Sequence, residues 1–169
     1  MKPGPAFLLS CLVLCGCATP KYEPPPSRTR DFAHYYSKGG WGIDSDIWIY
    51  SDGTYVVTWF DSATRKIEKT HSGRSKGLFR SMVRAADRND AWPITTKTLE
   101  EEVGKAAAAR NTHVPDITDL NREYLEIRAD GKILKADFYG ADIIWGKFPE
   151  VKSLDAFVRI INQIREGIG

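Results

Sequence analysis

Two stretches of this chain alternate apolar and polar residues around an Asp-Gly pair, and each is followed by a helical pattern. The first runs Ile47-Trp48-Ile49-Tyr50-Ser51-Asp52-Gly53-Thr54-Tyr55-Val56-Val57-Thr58-Trp59-Phe60. The second runs Tyr124 to Phe138 around Asp130-Gly131. Period-two alternation on both sides of Asp-Gly predicts two β-hairpins. Phe32 to Tyr36 predicts a strand before them, and Arg65 to His71 a polar edge strand after the first hairpin. Leu78, Phe79, Met82, Val83 and Ala86 recur at helical spacing behind Ser75, and Leu154, Phe157, Val158, Ile161 and Ile164 behind Ser153. Each serine is placed as a helix N-cap. Between these units, Thr98 to Ala109 predicts a third helix, with Thr98 and Glu101 as a capping box. Its apolar face is thin, so a peripheral insertion is expected. The fold class that follows is α+β: an antiparallel sheet with amphipathic helices on one face.

The two hairpin-helix units align at a constant offset of 78 residues. Ile49, Asp52, Gly53, Phe60, Ala63, Ser75 and Phe79 fall on Ile127, Asp130, Gly131, Phe138, Ala141, Ser153 and Phe157. Either an internal ββα duplication or the shared turn and cap chemistry of any two such units accounts for the match.

The N-terminal stretch is different in kind. Lys2 precedes a nine-residue apolar run, Ala6 to Leu14, too short to span a bilayer but suited to a secretory signal. It ends Leu14-Cys15-Gly16-Cys17, which resembles the lipobox of bacterial lipoproteins. The resemblance implies residues 1–16 as signal peptide, cleavage before Cys17, a lipid on its sulfur and an acylated new amine. The alternative is an ordinary secretory signal cut after Ala18. With Ala rather than Asp at position 18, the resemblance implies sorting to the outer membrane, facing the periplasm. Residues 17–30 contain Pro20, Pro24, Pro25 and Pro26 and read as anchor plus extended spacer, able to span about 40 Å. Residues 31–169 are expected to form one α+β domain. With Cys11 and Cys15 in the signal and Cys17 lipidated, that domain has no cysteine for a disulfide or a metal.

The order of elements also resembles an uncharacterised family of bacterial lipoproteins and secreted proteins, classed only as a domain of unknown function. The resemblance rests on Ile49-x-x-Asp52-Gly53, the helix after Ser75, and Gly131-Lys132 through Tyr139-Gly140 to the last helix. The family often carries a Cys-Pro pair before the first hairpin, where this chain reads Gly40-Trp41-Gly42-Ile43-Asp44.

Net charge is +2, which by itself points away from nucleic acid. Gly73-Arg74-Ser75-Lys76-Gly77 matches the G-x-S-x-G nucleophile elbow, and Asp87 and His113 follow in triad order. The polar segment before it and the lack of strand-helix alternation favour a cap at Ser75 over a nucleophile. His34, His71 and His113 show no metal-ligand spacing, and Asp116, Asp119, Asn121 and Glu123 do not fit an EF-hand loop. No catalytic residue, metal or cofactor is expected. With a two-residue turn at Asp52-Gly53, Tyr50 pairs with Tyr55 and Trp48 with Val57. Trp48, Tyr50, Tyr55, Val57 and Trp59 then share one face, a candidate binding surface. The corresponding face of the second hairpin is polar: Glu126, Arg128, Ile133, Lys135 and Asp137. The leading expectation is a lipid-anchored cell-envelope protein that binds another protein, in the manner of an inhibitor or immunity protein. The alternatives are a glycan-binding or structural envelope component, and a small hydrolase using Ser75.

Overall fold

The structure, a computed structural model, describes residues 31–39, 43–115 and 120–168. The signal, Cys17 and the Pro-rich spacer lie outside the described residues, as do Asp116 and Asp119. The fold is α+β. A six-stranded antiparallel sheet has the order β4-β3-β2-β1-β5-β6. Its strands are β1 (Phe32–Lys38), β2 (Ile43–Tyr50), β3 (Thr54–Asp61), β4 (Ile67–Arg74), β5 (Arg122–Ala129) and β6 (Lys132–Tyr139). The first strand is central: Tyr35 stands opposite Ile47 on one side and Leu125 on the other. Two helices, α1 (Leu78–Arg88) and α2 (Thr96–Ala109), carry the chain from the β4 edge back to β5. After β6 come α3 (Ala141–Lys147) and α4 (Lys152–Ile168).

All the strand side chains in the hydrophobic core come from one face of the sheet: Ala33, Tyr35, Ile47, Ile49, Val57, Leu125, Ile127, Ala129, Leu134, Ala136 and Phe138. The helices pack on that face, as the amphipathic patterns predict. The stripe of α4 is buried throughout. The second hairpin is as expected: Arg128 opposes Ile133, Glu126 opposes Lys135, and these residues point away from the helices.

Several local expectations are corrected. Ser75 does not cap α1. The chain passes through Gly77 in the left-handed region (φ +98°) before the helix begins, and the Ser75 N–H donates to the Gly53 carbonyl at 2.8 Å. Ser153 lies inside the first turn of α4, where its Oγ donates to Glu102 Oε2 at 2.6 Å. Helix α2 starts earlier than expected: Thr95 is the cap, its Oγ1 accepting from the Thr98 N–H. Nor is α2 peripheral. Leu99, Val103 and Ala107 are buried, and Thr96 Oγ1 accepts from the Asp137 N–H, closing off the β6 edge. Between β6 and α4 the chain forms a further helix, α3, that the apolar spacing did not mark.

The first hairpin departs most. Its closing pairs are Ile49–Tyr55, Trp48–Val56 and Ile47–Val57, one residue out of the expected register. The Gly53 N–H donates to the Tyr50 carbonyl and Gly53 takes φ +86°, so the loop is the three residues Ser51-Asp52-Gly53, a turn followed by a bulge. In the second hairpin Asp130 (φ +50°) and Gly131 (φ +75°) both take the left-handed conformation of a two-residue turn, and Ala129 faces Lys132. A one-residue slip flips every side chain across the sheet. Trp48 and Tyr50 therefore lie on the face away from the helices, and Tyr55, Val57 and Trp59 on the helix side. The expected five-residue aromatic surface is divided between the two. The same slip puts Phe60 and its offset partner Phe138 on opposite faces.

These turns separate by measurement. An L-residue in the left-handed region costs about 1–2 kcal/mol. Gly131→Ala should lose that much, since its Cβ would meet open space. Gly53→Ala should lose more, because its Cβ would sit 3.3 Å from the Ser75 carbonyl oxygen. Denaturant melts of the two variants give the comparison.

Candidate functional site

The helix side of the sheet is not fully covered. Beyond the last turn of α4 a groove of about 530 Å³ opens at the end of the sheet opposite the two hairpin turns. Alternation along β2 and β3 aims Ile43, Ile47, Val57 and Trp59 into it, and Ile168 closes the helix side. Ile43 is 59% exposed at the mouth of this groove. Trp59 is half-buried, with the Lys69 ammonium 5.2 Å from its ring centroid.

The polar wall of the groove is a buried network. Glu123, on β5, is only 3% exposed. It accepts from Tyr35 Oη, from Arg165 Nη2 at 2.9 Å and from Ser37 Oγ at 3.5 Å. Arg165, on α4, also donates to Tyr35 Oη (3.0 and 3.2 Å) and to Asp142 Oδ2 at 2.8 Å. Burial lifts the Glu123 carboxyl above the usual range, although the Tyr35 hydrogen bond and the Arg165 charge pull it down. Burial and the neighbouring Glu123 carboxylate push the Tyr35 phenol far above its ordinary value, so it remains a donor. Burial opposes the charge on Arg165, but Asp142, Tyr35 and Glu123 together hold its pKa above the ordinary value. The groove therefore offers apolar walls and a fixed cation whose partners are already in place. That suits an aliphatic or aromatic side chain with a polar edge.

Of the five aromatic-face residues, Val57 and Trp59 line this groove. Tyr55 lies on the same side of the sheet but next to His71, its Oη 3.3 Å from Nε2, with its ring against Gly73. Trp48 is on the opposite face, stacked on His34 with centroids 4.0 Å apart and close to Phe32. Tyr50 is on that face too, and is buried. His34 is paired with Asp46 at 2.7 Å, and Asp44 is held by Arg65, Tyr36, Ser62 and the Gly39 N–H. The charges of this back face are paired, but Trp48 Nε1 and Thr58 Oγ1 are buried on it without a hydrogen-bond partner among the described residues. The sequence marks Glu123 only as one of an acidic cluster, and it does not single out Tyr35, Arg165 or Ile43 as site residues. Arg165 follows Ile164 in the last helical stripe, but nothing along the chain ties it to Glu123 or Tyr35.

The Ser75, Asp87 and His113 of the triad order are not assembled. Ser75 follows β4, an exposed antiparallel edge strand, not the buried parallel strand of an elbow. Asp87 lies about 14 Å further along α1 from its start. There it accepts from Lys132 Nζ and Trp92 Nε1, which hold its carboxyl below the usual range. Among the described residues, no group of three or more His, Cys, Asp or Glu is placed to hold a metal. Of the acidic cluster, Asn121 lines the groove, and Glu123 reaches it only through Arg165, to which it is bonded.

The network has a pH signature. Because the folded pKa of Glu123 is raised, the native state holds its proton more tightly than the unfolded chain does. The contribution of Glu123 to stability is then largest below its ordinary value of 4.5 and declines as pH rises through the folded pKa. The stability of the wild type relative to Glu123→Gln should fall between pH 4 and neutrality, as read by thermal melts of both proteins. A gap that widens over that range would contradict it.

No model of a known protein family matches the chain, and no curated protein sequence does.

Proposed function

We propose that this is a lipid-anchored cell-envelope protein that works by binding another protein through the groove between β1–β3 and the end of α4. The observation that carries the reading is the groove itself: exposed Ile43 and half-buried Trp59 beside a prearranged Arg165–Tyr35 pair. Trp, Tyr and Arg are the side chains that most often dominate protein interfaces. A wall already locked by Glu123 and Asp142 loses little conformational freedom when a partner arrives. The lipid anchor is supported by Leu14-Cys15-Gly16-Cys17 after the apolar run. A single partner residue, apolar with a polar flank, is the minimal occupant.

Placing a photo-crosslinking residue at position 43 should give a discrete protein adduct in intact cells, and placing it at exposed position 97 on α2 should not. Trp59→Ala should weaken the adduct, with a loss of about 2 kcal/mol in affinity. Equal labelling from positions 43 and 97 would rule out the groove as the binding surface. Separately, Cys17→Ala should abolish incorporation of labelled fatty acid. Unchanged labelling would remove the anchor from the reading.

A further inference from the structure

The chain's net charge of +2 conceals a segregation. Between Arg65 and Arg88 there are eight basic and two acidic residues. Four of the basic ones form a run leading into and along α1: Lys76, then Arg80, Arg84 and Arg88 at intervals of four. All four are exposed, and none makes an ion pair among the described residues. Like charges four apart repel on a helix. Lys76 and Arg80 flank the positive end of the helix dipole, and the first turn holds no acid. Of the four, only Arg88, in the last turn, is where the dipole favours a cation. The arrangement costs local stability, and among the described residues no ion pair offsets it.

The position of α1 says what the stripe faces. Its start shares a hollow with Ser51, Asp52 and Gly53 of the first hairpin turn. Near its end Asp87 pairs with Lys132, the residue after the second turn. Those turns are three strand spacings apart, about 14 Å, and eleven helical residues span about 16 Å. So α1 crosses the hairpin end of the sheet. The N-terminus of the described chain leaves from that same end. Phe32 stands opposite Tyr50 and Arg128, and the Asp31 carbonyl accepts from the Ser51 N–H. Cys17 is only fourteen residues before Asp31.

We infer that the arginine stripe of α1 rests on the anionic headgroups of the membrane in which the lipid is anchored. This rests on the anchored reading above. The end of the domain nearest the tether carries Arg74, Lys76, Arg80, Arg84 and Arg88. Its acids without an ion pair include Asp52, Asp90 and Asp130, and Asp52 is occupied by Thr54. Anionic lipid attracts such clusters, and a basic surface beside the tether adds an electrostatic contact to the acyl anchor.

The test is co-sedimentation of the full chain with vesicles of phosphatidylcholine alone and with vesicles that also contain phosphatidylglycerol. The ratio of the two partition coefficients isolates the electrostatic contact, because acyl chains enter both vesicles. The ratio should exceed ten in low salt and fall toward one as salt is raised. Arg80→Gln/Arg84→Gln should lower it by about fivefold per arginine. If that variant unfolds, Arg84→Gln/Arg88→Gln answers the same question. Lys66→Gln/Lys69→Gln, two cations at the far end of β4, should leave the ratio unchanged. Cys17→Ala should reduce both partition coefficients and leave their ratio, so failure of the anchor and failure of the stripe are distinguishable. A ratio near one in low salt overturns the inference, and so does an equal loss in the Lys66/Lys69 variant. Binding to polyglutamate without preference for anionic vesicles would assign the stripe to an acidic protein instead.

Discussion

The carboxylate of Glu123 sits between the central strand and the last helix, and the rest of the structure is arranged to keep it there. A buried ion is costly unless its partners are well placed and its lone pairs are filled. Tyr35, Ser37 and Arg165 supply those partners from a neighbouring strand and from α4. The same contacts set the rotation of α4 about its axis, since Arg165 reaches Glu123 and Tyr35 only when the stripe Leu154, Phe157, Val158, Ile161 and Ile164 faces the sheet. Asp142 fixes the guanidinium from the α3 side. One polar cluster thus docks two helices and leaves beside it the uncovered floor of the groove.

The broad architecture was legible because it depends on local periodicity. The α4 stripe, the second hairpin and the polar back of β5 and β6 all follow from spacing. The first hairpin was not, although it carries the same Asp-Gly pair. The difference lies one residue further on. Asp52 accepts from the N–H and hydroxyl of Thr54 at 2.9 and 2.6 Å, a local turn that keeps it out of the left-handed region and leaves Gly53 alone at positive φ. At the corresponding place after Asp130 stands Lys132, which offers no hydroxyl, and both turn residues go left-handed. A threonine therefore separates a three-residue loop from a two-residue one and decides which tryptophan faces the groove.

The helix starts depart from the serine pattern for a related reason. Ser75 and Ser153 have the composition of caps, but a cap depends on backbone conformation at that residue. Left-handed Gly77 delays the start of α1 by two residues, and Glu102 draws Ser153 into a side-chain bond. The groove wall could not be read at all. Tyr35, Glu123 and Arg165 are 88 and 42 residues apart along the chain, and only the return of β5 to pair with β1 brings them together.

That return also gives the molecule two unlike ends. The hairpin turns, the N-terminal exit and α1 lie at one end of the strands, and the groove lies at the other. A strand of seven residues is about 24 Å long. In the proposed arrangement, a domain held against the bilayer by α1 presents Ile43 and Trp59 about that far from the headgroups, with no membrane in the way. The two surfaces also differ in what would weaken them. Salt screens the exposed arginine stripe within about 10 Å, whereas the groove depends on apolar burial that salt does not remove. In that proposed arrangement a partner held in the groove would stay bound under conditions that lift the domain off the lipid, and the proposed tether at Cys17 would keep both within reach of the membrane.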